Sequence, residues 1–315
     1  MRLRLLPLFA ASAIAAQAPE KLFQERRFDE ARAAYKAQLV KDNNDANAMF
    51  WMGRIARAEN KTDDAIKWFE KAVKRDDTNA LYHYWLGGAV GDEAQNASKL
   101  RQPFLARRVK SEFERAVALD PNMIDARQGL VGFYSMAPGF MGGSKDKARE
   151  QVAEIGKLNV LRGHLSGAGL AEREKDVAGA EREYQAAIAV SPDSMQAYYS
   201  LAALYRRQSK WDDSFAVYER IMQAKPDELA AHLGWGAVSA LGGKSYERGE
   251  RELKYFLANA TIQSVGYRNI AGAHFRLGQI FEKTNRCDEA RAEYSEALKI
   301  YPQHADAKKA LEGLK

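Results

Sequence analysis

Residues 195–228 constrain the fold more than any other stretch of this chain. They read MQAYYSLAALYRRQSKWDDSFAVYERIMQAKPDE, two amphipathic segments separated by the polar hinge QSKWDD. Tyr198, Leu201, Ala202 and Tyr205 recur at helical spacing and fall on one face of a first helix. Ser214, Tyr218 and Ile221 do the same for a second helix, which Pro226 stops because proline lacks an amide hydrogen and its ring crowds the preceding turn. A helix pair this short has too little interior to bury both apolar faces, so it requires similar units stacked on either side.

Projecting the same 34-residue frame along the chain recovers such units. Ala31 and Tyr35 mark the second half of a degenerate first unit. Gly53, Ala65, Phe69 and Ala72 mark the next, and Gly87 follows Gly53 by one full period. The third unit carries a surplus of residues within 91–108, and the fourth an expanded hinge at 135–145, SMAPGFMGGSK. From Leu161 the frame is strict, through Ala180, Tyr184 and Pro192, into the 195–228 unit. A seventh unit follows from Leu229, then an eighth reading AGAHFRLGQIFEKTNRCDEARAEYSEALKIYP, and a charged closing helix. The 8 prolines and scarcity of β-branched runs give a sheet little support.

This pattern resembles the tetratricopeptide repeat: Leu or Trp, Gly or Ala, and Tyr on the first helix, then Ala, an aromatic, Ala and Pro on the second. The resemblance implies an all-α, right-handed superhelical solenoid over residues 19–315, with about seven full repeats and partial repeats at its ends. It also implies a curved groove lined by first helices. The hinge around Pro138, Gly139, Gly142 and Gly143 is similar, over about a dozen residues, to that of short exported bacterial repeat proteins.

Residues 1–18 read as a secretory signal. Arg2 and Arg4 precede an apolar run over residues 5–16, which is shorter than the roughly 20 residues of a spanning helix. Cleavage is expected after Ala15 or after Ala18, the first being preferred because Pro19 would follow the second cut; an uncleaved anchor is the alternative. No cysteine follows the run, which argues against a lipid anchor, and the expected location is periplasmic or secreted. The formal charge of +6 includes Arg2 and Arg4 and is too mild to imply nucleic acid. The single cysteine, Cys287, leaves no intramolecular disulfide to form, so the fold rests on packing.

No catalytic constellation is present. There is no G-x-S-x-G elbow and no H-E-x-x-H helix, and GFMGGSK departs from a phosphate loop at Ser144, with no strand before it. Asp63, Asp64, Asp212 and Asp213 read as first-turn acids that complement the helix dipole. His83, His164, His232 and His274 each occupy the fourth position of a first helix. A zinc ion needs its ligands within about 2 Å, whereas successive helices stand roughly 8–10 Å apart, so these histidines are assigned to helix packing and no metal or cofactor is expected.

The expected function is a non-enzymatic scaffold that holds a peptide or partner protein in its groove. The alternative is a subunit that binds a solute or cell-wall fragment for an envelope enzyme or transporter, which a deep pocket beneath the 137–145 hinge would favour. By the resemblance, the groove-facing positions are Phe50, Arg54, Arg57, Tyr84, Arg162, Arg173, Tyr199, Arg206, Arg207 and Phe275. Arginines beside aromatic rings suit a partner with acidic and aromatic side chains. The family's carboxylate clamp also uses an asparagine where this chain has Trp51, Trp85, Ser200 and Arg276, which argues against a chaperone-type acidic C-terminus as the ligand.

Overall fold

A computed structural model describes residues 18–314. The signal assigned to residues 1–18 therefore lies outside the described residues, apart from Ala18, which precedes the first helix. The described chain is all-helical, built from consecutive antiparallel helix pairs, and none of its helices is long and apolar enough to cross a membrane.

It forms two compact units. The first, ending at Leu158, contains α1 (Pro19–Gln24) with α2 (Phe28–Lys41), α3 (Ala46–Ala58) with α4 (Thr62–Arg75), α5 (Ala80–Asn96) with α6 (Gln102–Leu119), and α7 (Ile124–Met136) with α8 (Lys145–Leu158). The second, from Asn159, contains α9 (Val160–Arg173) with α10 (Val177–Val190), α11 (Met195–Arg207) with α12 (Trp211–Ala224), and α13 (Leu229–Gly242) with α14 (Tyr246–Asn259). A short α15 (Ile262–Val265) leads to α16 (Tyr267–Lys283), paired with α17 (Cys287–Ile300), and α18 (Ala305–Gly313) closes the unit.

Within each pair, a small residue on the first helix admits a large one from the second. A Cβ added to Gly53 would stand 2.6 Å from the Phe69 ring, and one added to Gly278 would stand 2.6 Å from the Tyr294 ring. Ala31, Ala65, Ala180 and Ala290 on second helices are fully buried, as are Tyr35, Phe69 and Tyr294. The repeating small and large residues are therefore the packing code itself.

The hinges explain where the frame holds and where it breaks. Arg26, Asn60, Lys175, Ser209 and Asn285 all adopt left-handed φ between 55° and 63°. In each case the next amide donates back to a first-helix carbonyl, as Lys61 does to Ala56, Asp176 to Ala171 and Lys210 to Tyr205, each at 2.9 Å. This wrap of chain caps the first helix and aims the second. The connections α5–α6 and α7–α8 lack that conformation. The surplus at 91–108, rather than forming a loop, lengthens both helices, to 17 residues in α5 and 18 in α6. The surplus at 135–145 forms a 3₁₀ turn, Gly139–Met141, ending at Gly142 with φ 98°. The eighth unit's first helix starts at Tyr267, four residues before the frame position Ala271.

Candidate functional site

The histidines resolve first. Nδ1 of His83 lies 2.7 Å from Glu112, of His164 2.8 Å from Glu183, of His232 2.7 Å from Glu252 and of His274 2.6 Å from Glu293. Each pair ties a first helix to its own second helix. Nε2 of His83 faces the carbonyl of Asp77 at 3.0 Å, and Nε2 of His232 faces that of Pro226 at 2.8 Å. Arg127 plays the same part in the fourth pair, donating to the Pro121 carbonyl and to Gln151, both at 2.9 Å. The packing role expected of these histidines is thus filled by polar struts. The partner stands immediately before the large second-helix residue, as Glu112 does before Phe113 and Glu293 before Tyr294. Where the fourth position is apolar, the partner position is apolar too: Met49 and Trp68 line one crevice, and Tyr198 and Val217 share one core cluster.

In the first unit the first helices line a polar crevice. Arg57 from α3, Tyr84, Gly88 and Asp92 from α5, and Asp125 and Gln128 from α7 surround it. Arg57 donates to Asp92 at 2.8 Å. No carboxylate among the described residues pairs with Arg54; its guanidinium carbon lies 4.0 Å from the Trp85 ring centre, 4.9 Å from Trp51 and 5.0 Å from Phe23. Burial, and secondarily Arg57, lower its pKa, while the ring faces offset part of that desolvation. An apolar pocket adjoins this crevice.

In the second unit three arginines converge. A pocket of about 330 Å³ is lined by Arg206 from α11, Leu233, Gly234 and Ala237 from α13, and Arg268, Asn269 and Arg276 from α16, with Tyr218 in its wall. Arg276 donates to Gln279 at 2.7 Å, and Arg268 stands over the Tyr267 and Tyr301 rings. No described carboxylate forms an ion pair with any of the three. Burial lowers the Arg276 pKa, and the charge of Arg206 lowers it further, while Asp306 opposes both. Arg276 is partly buried while Arg206 and Arg268 are exposed, and cations that share one concavity form a site that an anion stabilises.

Tetratricopeptide-repeat family models match residues 16–80, 169–228 and 271–304, together just over half of the 315 residues. The chain belongs to the tetratricopeptide-repeat family. No curated protein sequence matches it significantly. Among solved structures, yeast Tom70 is similar with a TM-score of 0.67 at 15% identity, covering 95% of this chain and 60% of Tom70. A tetratricopeptide repeat protein from Parabacteroides merdae is similar with a TM-score of 0.52 at 13% identity, covering 85% of this chain and 98% of its own. These likenesses concern the fold. The chain spans less than two thirds of Tom70.

The tetratricopeptide frame placed ten residues on the groove, and the structure distributes them. Arg57 and Tyr84 line the crevice of the first unit, and Arg206 lines the arginine pocket of the second. Phe50 and Phe275 lie beneath these faces, 3% and 6% exposed. Tyr199 packs near Tyr218, with ring centres 6.4 Å apart. Arg207 is drawn to Glu172 at 2.5 Å, and Arg173 to the Gly169 carbonyl at 3.4 Å. Arg162 is half-buried on α9. Sequence reasoning missed Arg268, Asn269 and Arg276 as pocket residues. Arg276 was visible as the residue replacing the clamp asparagine. The other two lie in the extra turn of α16, which precedes the repeat frame.

Proposed function

We propose that this tetratricopeptide-repeat protein is a non-enzymatic interaction scaffold, exported after losing its first 15 to 18 residues, whose 159–315 unit grips an acidic segment of a partner protein. The observation that carries this reading is the convergence of Arg206, Arg268 and Arg276 on one pocket with no ion pair to a carboxylate among the described residues. Arginine binds carboxylates in a planar, two-point geometry, and Tyr267 and Tyr301 hold the Arg268 fork in place. Asn269 adds an amide that can meet a peptide backbone.

The test uses fluorescein-labelled dodecapeptides carrying alternating Asp and Tyr, with Asn-substituted and Lys-substituted controls, read by anisotropy. The acidic peptide binds, and its affinity falls as salt rises. Arg206→Gln with Arg276→Gln weakens it by roughly a hundredfold to ten-thousandfold, as loss of two charge-assisted hydrogen bonds of roughly 1.5–3 kcal/mol each implies. Equal binding of the Asn-substituted peptide, or no change in the double variant, would overturn the reading. The solute or cell-wall alternative depended on a pocket beneath the 137–145 hinge. A pocket is there, and its mostly aliphatic, aromatic and glycine lining lacks the dense hydrogen bonding that a polyhydroxylated cell-wall fragment requires, while it leaves the binding of an apolar solute open to test.

A further inference from the structure

The two places where the first unit breaks the 34-residue frame meet around one pocket. Its volume is about 350 Å³. Gly91, Ala94 and Gln95 come from the lengthened end of α5, and Gln102 and Ala106 from the lengthened start of α6. Met136 ends α7, and Ala137 and Met141 come from the expanded connection that follows it. Phe113 and Phe133 complete the walls, and no ionisable side chain lines it. Surplus residues at separate points in the sequence thus build a single concavity that a uniform repeat would lack.

Its chemistry is that of an anchor site. Met136 is 70% exposed at the rim, and an unbranched thioether side chain reshapes itself around varied apolar groups. Gly132 leaves open space: a Cβ added there meets nothing within 4 Å. Gln95 and Gln102 supply uncharged amides of the kind that meet a peptide backbone. The pocket is continuous with the polar crevice of Arg57, Asp92 and Gln128, with which it shares Gly91, Gln95, Phe113 and Gly129. An occupant that fits both is a chain with polar groups along its length and one large apolar projection.

The geometry points to this pocket as the receptor for a large apolar side chain, aromatic or branched, on an extended partner peptide lying along the first unit's crevice. It rests on the reading of the chain as a peptide binder and is independent of the arginine pocket in the second unit.

The test uses full-length protein carrying ¹³C-methyl methionine, titrated with N-acetyl-tryptophan amide, N-acetyl-leucine amide and, as controls, N-acetyl-aspartate amide and decanol. The Met136 and Met141 methyl signals shift saturably with the tryptophan and leucine amides and not with the aspartate amide. Gly132→Leu plugs the space, and leucine favours a helix more than glycine does, so the variant folds. It weakens the tryptophan amide about tenfold. The acidic dodecapeptide, titrated in parallel, keeps its affinity in Gly132→Leu, which separates failure here from failure of the arginine site. Absence of saturable shifts in the wild type, or shifts that survive the plug, would refute the assignment. Tighter binding of decanol than of either apolar amide at these methyls would reassign the pocket to an acyl chain and refute it equally.

Discussion

His232 and Glu252 are joined at 2.7 Å between α13 and α14, both largely buried, while the other ring nitrogen of His232 meets the Pro226 carbonyl at 2.8 Å. One side chain thereby ties its first helix to the following second helix and to the turn that precedes it. Removing the ring leaves a buried carboxylate with only Arg248 and Arg251 nearby, at 3.3 and 3.8 Å. His232→Ala is expected to destabilise the protein by roughly 1–3 kcal/mol, measured by urea unfolding. His232→Ala with Glu252→Leu is expected to recover part of that loss, because no carboxylate is then stranded.

The same struts bear on metal. Each histidine is engaged by a carboxylate of its own repeat, and no group of three or more metal-ligating side chains occurs among the described residues. The melting temperature is expected to be the same with EDTA as with added zinc. A drop with EDTA that zinc reverses would contradict the assignment.

The left-handed hinge residues are open to improvement. Lys175 holds φ 63° with a full side chain, a conformation costing roughly 1 kcal/mol for a non-glycine residue. Lys175→Gly is expected to raise stability by up to about 1 kcal/mol in thermal unfolding. Asn285→Gly gains less, because asparagine tolerates this region better.

Acid is expected to loosen the joint between α14 and α17. Burial pushes the Glu250 pKa up, but hydrogen bonds from Arg286 at 2.5 Å and Lys254 at 2.6 Å outweigh it and hold the carboxyl below its usual range. A depressed folded-state pKa contributes stability above the unfolded-state value, near 4.5, that is lost as pH falls through the folded value. Glu250→Gln is therefore expected to destabilise at pH 7, and its effect is expected to shrink as pH falls below about 4.5, as followed by helical circular dichroism in urea.

Export makes a separate prediction. Intact-mass measurement on protein from its native cells is expected to show the loss of 15 to 18 N-terminal residues, and retention of Met1 would exclude cleavage.

Much of the architecture was legible in the sequence because the packing code is local and periodic. Gly53 against Phe69, and Gly278 against Tyr294, repeat one small-to-large contact at fixed spacing, and Pro226 or Pro302 marks where the second helix turns back. A period needs no tertiary information to be seen. The strut partners were present as well, as Glu112, Glu183 and Glu293, each preceding the aromatic of its second helix, but their meaning depends on the angle between two helices. Side-chain competition was beyond reach: Arg206 and Arg207 are neighbours in sequence, yet Glu172 engages Arg207 while Arg206 remains in the pocket. Arg268 joined that pocket only because α16 begins a turn before its repeat. The surplus at 91–108 and 135–145 was visible as departures from the frame, but only folding could bring the two onto one cavity. A sequence determines which faces must be buried; the tertiary structure decides which groups, once those faces are packed, are left facing each other without a partner.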